Sequence, residues 1–379
     1  MDEERKIVFG YNGGTFSRKE LEDAIKKGKP LTLDMSIISG CLNKCVFCGY
    51  RAPSGEGALK PKEIFDVIYQ FRDIGGRSVK FVGEGEPLLR KDIFEILKKI
   101  KECGMIPVVF TCGDVLGNDA LAYEFHHSSG MELVGRLGEA GATVMLKYDA
   151  RKQDEISGRA GYSEMRENAL ERLIAAGFNL FSPTHLGFGS VALKKNLGEL
   201  PKIFENALRK NIYPLFCPLM PIGEARDRRK RDEMGISREQ MIELSARLHF
   251  TAWEYGIPFK GAADFLGGLP CDIARAGFFI DWNGWIKLCE SEEAIGNARW
   301  LGLENAWSII VYAKGGKYNG KHNCTPGSGN CYSKRVLGII PDGFETEVKR
   351  KVFDFMNRNR NKFGSKKIEA MKNARYVLA

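Results

Sequence analysis

Apolar positions along this chain follow two alternating rhythms. Residues 31–38 are almost unbroken in apolar character and read as a strand. Residues 61–74 follow as a helix, with Pro61 at its start, where a missing N–H costs little. The pattern repeats with a strand over 78–82 and a helix over 92–103, which places Ile93, Ile96, Leu97 and Ile100 on one face. Further strands are predicted over 106–111, 143–148, from 179 onward with a break or extension near Pro183, and over 213–219. Further helices are predicted over 130–140, 163–176 with Ser163 as its cap, within 196–210, and over 238–255. Before the first strand, residues 1–30 form a polar lead-in, with a short amphipathic helix over 17–27 capped by Ser17.

Strands that alternate with helices and carry few polar residues imply a parallel sheet. Six strand–helix units fit between residues 31 and 255, two short of a closed eight-fold barrel. The expected fold class is therefore α/β, a partial (β/α)6 TIM-like barrel over 31–257. Near residue 258 the rhythm stops, and Gly, Trp and Cys become dense. A small Cys-rich α+β domain is expected over 258–340, then a basic helical tail over 341–379. In such barrels the chemistry sits on loops at the carboxyl ends of the strands.

Composition narrows the class. The 379 residues are 44% apolar and 28% charged, an ordinary globular mixture. There is no apolar run long enough to span a bilayer, and residues 1–5 are too charged for a signal peptide. No membrane partner and a cytoplasmic location are expected, where thiols stay reduced and clustered cysteines indicate metal. The net charge of +9 suits an anionic partner, but solvated lysine-rich helix faces account for it more simply. The same holds for the basic run Arg358–Lys362 with Lys366 and Lys367, so a nucleic-acid partner is the less favoured reading.

The chemistry begins where the first strand ends. Cys41, Cys45 and Cys48 form a CxxxCxxC loop, with Phe47 before the last thiol. Thiolates select zinc, Cu(I) or iron–sulfur clusters. Tetrahedral zinc asks for four ligands, and no fourth Cys or His stands nearby in sequence. Three thiols suit a [4Fe–4S] cluster with one iron left open, against the alternative of three buried structural cysteines. One unit later, directly after the second strand, comes Gly83-Glu84-Gly85-Glu86-Pro87. Its glycines allow a close backbone approach to a ligand, and Glu86 can accept from an ammonium.

Together these two segments resemble the radical S-adenosylmethionine (SAM) enzymes. Cys41, Cys45 and Cys48 match that family's cluster motif, Phe47 its aromatic position, and Gly83, Gly85, Glu86 and Pro87 the segment that holds the methionyl amine of SAM. The resemblance implies a SAM-binding [4Fe–4S] cluster, SAM itself and a 5′-deoxyadenosyl radical that takes hydrogen from a substrate. It also implies SAM contacts from Lys147 and Asp149 at the end of the fourth strand, although relatives carry Ser where Lys147 stands. Thr111-Cys112-Gly113 takes the place of a common Thr-Asn-Gly, and Met220 stands where backbone atoms of relatives hold the adenine.

Four late cysteines, Cys271, Cys289, Cys324 and Cys331, form a second set, the first two flanking a hairpin around Asn283-Gly284. Their spacing resembles the SPASM/Twitch extensions of the same superfamily, and their number matches the form with one auxiliary [4Fe–4S] cluster. Structural zinc is the alternative for these four thiols. A fully ligated auxiliary cluster would take electrons, so the expected reaction is a net oxidation of a small polar or peptide substrate by a radical SAM oxidoreductase. An electron donor such as ferredoxin or flavodoxin is implied. The alternatives are a lyase or cyclase acting on a nucleotide, and a tRNA-modifying enzyme. Cys112 and Cys217 read as small buried hydrophobes that could instead face the lumen. His126 and His127 read as surface residues on a loop, and His185 as a better lumen candidate near the end of the fifth strand. The charged run over 226–233 reads either as a phosphate grip or as a solvated loop.

Overall fold

Nine strands form one sheet in a computed structural model of the chain, which describes residues 10–48, 57–151, 153–220, 223–256, 276–290, 293–313 and 344–359. The strands are β1 (Thr32–Met35), β2 (Ser78–Phe81), β3 (Ile106–Thr111), β4 (Thr143–Lys147), β5 (Leu186–Ala192), β6 (Tyr213–Pro218), β7 (Gly277–Ile280), β8 (Trp285–Lys287) and β9 (Ala294–Asn297). Their order is β6-β5-β4-β3-β2-β1-β7-β8-β9. Strands β1 to β6 and β7 pair in parallel; β8 and β9 add antiparallel. Six sequential parallel strands without closure make the partial barrel. The hairpin expected over 278–288 is present, and through β7 it hydrogen-bonds to β1 and continues the barrel's own sheet.

Thirteen helices accompany the strands among the described residues: α1 (Arg18–Lys26), α2 (Pro61–Asp73), α3 (Ile93–Glu102), α4 (Asp114–Gly117), α5 (Asp119–His126), α6 (Gly130–Glu139), α7 (Asp154–Ser157), α8 (Tyr162–Ala175), α9 (Leu200–Arg209), α10 (Arg228–Met234), α11 (Arg238–Glu254), α12 (Leu303–Ala313) and α13 (Phe344–Arg358). No helix among the described residues is long and apolar enough to cross a membrane. The outward sheet face, including Leu33, Met35, Val79, Phe81, Val144, Leu146 and Phe216, packs on the helices as the main core. Ile64, Val67, Ile68 and Phe71 of α2 and Ile93, Ile96, Leu97 and Ile100 of α3 are buried in it, as their spacing requires.

The inward face divides in two. On β3, β4 and β6, Val108, Met145, Tyr213 and Leu215 gather around Tyr11, with Phe110 and Cys217 beside them. On β1 and β2 the inward positions are polar, with Asp34 directly opposite Lys80 and Thr32 opposite Ser78. The hydroxyls of Thr32, Ser78 and Thr143 are buried with no hydrogen-bond partner among the described residues.

Five local expectations need correction. The fifth strand starts at Leu186, not near residue 179; Leu180 and Phe181 lie exposed in the preceding turn. His185 therefore sits at the amino end of β5, stacked on Phe181 at 4.2 Å, on the side opposite the reactive loops. Ser163 lies inside the first turn of α8, and Asp154 from α7 accepts its N–H at 2.7 Å in place of a local cap. The charged run forms α10, because Arg228 and Asp232, like Arg229 and Glu233, sit four apart and pair across one turn. His126 ends α5, and its Nε2 bonds the Leu88 carbonyl at 2.6 Å. Ser17 caps α1 as expected, accepting from Glu20 N–H at 3.2 Å.

Leu33 lies on β1, an interior strand flanked by β2 and β7, and is fully buried. Leu33→Ala should cost about 2–5 kcal/mol in urea unfolding, because the rigid sheet cannot collapse into the gap. A loss well under about 1 kcal/mol would mean that Leu33 is not locked in the core between sheet and helices.

Candidate active site

Three strand ends converge on the cysteine loop. The loop leaves β1, and its polypeptide is held from two directions. On one side, Glu86 N–H donates to Gly40 O at 2.8 Å and Arg90 Nη1 to Ile37 O at 2.8 Å. Gly85 makes this contact sterically feasible. It has φ +75°, and a Cβ there would fall 2.2 Å from Ile38 O. On the other side, Lys44 and Val46 N–H donate to the Ser157 and Ile156 carbonyls of α7, which follows β4.

Glu86 locks the β2 turn from within. It is almost wholly buried. Oε1 accepts from Leu88 N–H (3.1 Å) and the Thr111 hydroxyl (2.7 Å), while Oε2 accepts from Cys112 N–H (2.6 Å). Burial, together with the negative charges of Asp114 and Cys41, pushes its carboxyl up to about 8 in spite of these bonds. Pro87 is buried at the start of a short 3-10 turn. Among the described residues, the backbone groups of Gly83 and Gly85 make no backbone hydrogen bond. A Cβ on Gly83 would come within 3.3 Å of Phe279 and the Glu290 carboxylate, so the β7–β8 hairpin borders the same turn.

At the end of β4, Lys147 forms an ion pair with Asp149 and lies 4.6 Å over the Phe47 ring. Burial alone would lower the Lys147 ammonium, but Asp149 and the neighbouring Cys45 thiol outweigh it and hold it raised. Asp149 is fully buried, and its carboxylate also accepts from Val191 N–H (2.7 Å) and Gln153 Nε2 (2.9 Å). Met220 follows β6 and packs half-buried against the main core.

The thiols differ in environment. Burial pushes Cys45 up to about 11, with Lys147 opposing. Cys112 donates a hydrogen bond to Cys41, which lowers the Cys41 thiol and raises that of Cys112. Cys112 is thus a buried thiol at the site, held by Glu86 through its N–H and by Tyr162 Oη through its carbonyl at 2.7 Å. Its position after the third strand hinted at this; its pairing with Cys41 is a long-range contact that spacing does not reveal. Cys217 faces the lumen cluster instead.

A [4Fe–4S] cluster and SAM fit these residues. The donors are thiols, the ligand type such clusters use. Among the described residues no three His, Cys, Asp or Glu side chains are close enough to chelate one ion. Asn43, between the first two thiols, is buried with both amide atoms lacking a partner among the described residues, which leaves polar atoms for an added group. Of the second set, Cys289 follows β8 and is half-buried; Cys271, Cys324 and Cys331 lie outside the described residues.

Residues 35–192 match the radical SAM superfamily. Among curated relatives, the probable GTP 3′,8-cyclase of Sulfurisphaera tokodaii is 27% identical over 216 residues, 56% of this chain and 64% of that protein. The GTP 3′,8-cyclase of Vibrio cholerae is 29% identical over 220 residues, 54% of this chain and 59% of that protein. The chain thus spans under two thirds of the length of either. Among solved structures, native anSMEcpe with bound AdoMet and Cp18Cys peptide superposes with a TM-score of 0.57 at 15% identity, covering 88% of this chain and 98% of that one. Streptococcus suis SuiB bound to precursor peptide SuiA gives 0.55 at 17% identity, covering 76% and 68%. At these identities the likeness is one of fold.

Glu86 provides a pH test. In the fold its carboxyl is raised to about 8, against the ordinary 4.5. Between these values the folded chain holds a proton that the unfolded chain has released, so stability falls as pH rises. Urea unfolding of the metal-free protein should show this fall from about pH 5 to pH 8, and Glu86→Gln should lose it. Equal pH slopes for the two proteins would contradict the assignment.

Proposed function

This chain carries a radical SAM domain, and we propose that Cys41, Cys45 and Cys48 hold its [4Fe–4S] cluster while the turn Gly83–Pro87 holds SAM. The observation that carries the reading is the seating of that turn on the cysteine loop, through Glu86 N–H to Gly40 O at 2.8 Å. When bound, cluster and SAM supply a 5′-deoxyadenosyl radical that removes hydrogen from a substrate. The protein's own part is to position and to exclude water. Glu86 keeps its carboxyl group turned inward and fixes the turn, which leaves the backbone of Gly83 and Gly85 for the amine and carboxylate of SAM. Lys147 places a largely covered positive charge over the Phe47 ring and near the Cys45 thiol, where it would offset negative charge on a reduced centre. Asp149 holds that ammonium in place.

The substrate reading is a small polar or peptide molecule that undergoes net oxidation. Its support is the second set of four thiols, Cys271, Cys289, Cys324 and Cys331, enough to ligate an auxiliary [4Fe–4S] cluster fully and make it an electron acceptor. An iron–sulfur or flavin protein would supply the reducing electron. A second reading, a nucleotide cyclase, is favoured by the relatives named GTP 3′,8-cyclase. It needs an auxiliary cluster with an open iron, so full ligation by all four late thiols would exclude it.

Anaerobic reconstitution followed by SAM and dithionite should release 5′-deoxyadenosine. Iron should reach about eight per chain in wild type and about four in Cys41/Cys45/Cys48→Ala, which should release none. Two loaded clusters without 5′-deoxyadenosine would overturn the radical reading. Consumption of added GTP would favour the cyclase over the oxidase.

A further inference from the structure

Among the described residues the cysteine loop bonds little to itself; its internal backbone bond is Cys48 N–H to Cys45 O at 3.0 Å. Its shape comes from outside. The two residues flanking Cys45 are held by α7: Lys44 N–H donates to Ser157 O at 2.7 Å and Val46 N–H to Ile156 O at 3.0 Å. These carbonyls are available because α7 is a single turn of four residues, whose last carbonyls have no helical partner. The next residue, Gly158, has φ +63°, and a Cβ there would stand 2.6 Å from Lys44 O. Such a contact is too short to survive without movement, and the group met is backbone, which cannot swing away.

The turn that holds the loop is itself held. Asp154 accepts from Gly161 N–H (2.6 Å), Ser163 N–H (2.7 Å) and Ser163 Oγ (2.6 Å). Arg159 reaches the buried Asp114 at 2.7 Å. Gln153 bonds Asp149, and Arg166, fully buried, bonds Gln153, Ala150 O and Arg151 O while lying 3.7 Å over Tyr148. A rigid path thus runs from the end of β4 to the middle of the cysteine loop.

We propose that the segment Ile156-Ser157-Gly158 is a template that sets the cysteine loop for cluster insertion, and that Gly158 is its positioning residue. The proposal rests on the reading of Cys41, Cys45 and Cys48 as cluster thiols. It states that the three thiols are spaced by a backbone clamp from the β4 side, and that the clamp requires a residue without a side chain.

A paired substitution tests it. Gly158 and Gly161 both have left-handed backbone, but a Cβ on Gly161 (φ +74°) meets nothing within 4 Å. Both alanine variants carry the same kind of backbone strain; only Gly158→Ala presses on Lys44. After anaerobic reconstitution, Gly161→Ala should keep the wild-type iron and sulfide content. Gly158→Ala should lose about four irons per chain and the EPR signal of the three-thiol cluster, with wild-type far-UV circular dichroism. Gly158→Ala with full iron would overturn the template. A second measurement does not need the variant to fold: in metal-free wild type, hydrogen exchange at the Lys44 and Val46 amides should be slow, and exchange at the rate of an open loop would overturn it. Cys45→Ala separates the two claims, since full iron in that variant would defeat the thiol reading itself, whatever Gly158→Ala does.

Discussion

The constraint on which the rest depends is close backbone approach at two glycines. Gly85 lets the β2 turn lie against Ile38 and Gly40, and Gly158 lets the β4 turn lie under Lys44. A loop of this kind has no ladder or helix to set its shape, and its unpaired N–H groups must find acceptors elsewhere. The acceptors come from the loops after the neighbouring strands, so loop geometry is inherited from the sheet. The parallel pairing of β1, β2, β3 and β4 puts their carboxyl ends on one side of the sheet. The barrel thus acts as the jig in which a flexible thiol segment acquires a single form.

Electrostatics are arranged around that geometry. Buried Glu86 favours its neutral form, so the turn is fixed without placing a full negative charge beside three thiols. Lys147 supplies the positive charge at the site and is kept in place by Asp149. Cys45 holds its proton up to about 11 in the metal-free chain, so loading a metal centre must displace that proton. The fold contributes a preshaped cradle, and the bound group would contribute the reactivity.

Much of this was legible in the sequence because its signals are local. The strand rhythm, Pro61 at the start of α2, the Asn283-Gly284 hairpin and the spacing of Cys41, Cys45 and Cys48 are each set by residues a few positions apart. What sequence reasoning missed depends on distant partners. Cys112 reads as a small hydrophobe until β2 joins β3 and β1 in one sheet and its thiol meets Cys41. Residues 154–158 carry no motif, since their role is played by carbonyl oxygens that any sequence possesses. His185 was misplaced because Leu180 and Phe181, apolar enough to suggest a strand, are exposed ahead of β5. Ser163 suggested a local cap, but Asp154 outcompetes it from another turn.

The central claim is that three thiols leave one coordination position to be filled by SAM. Low-temperature EPR of the reduced, reconstituted protein, recorded before and after SAM is added, tests it most directly. The account predicts a cluster signal that requires Cys41, Cys45 and Cys48 and whose g-values change when SAM binds. A signal from those thiols that saturating SAM leaves unmoved would contradict it.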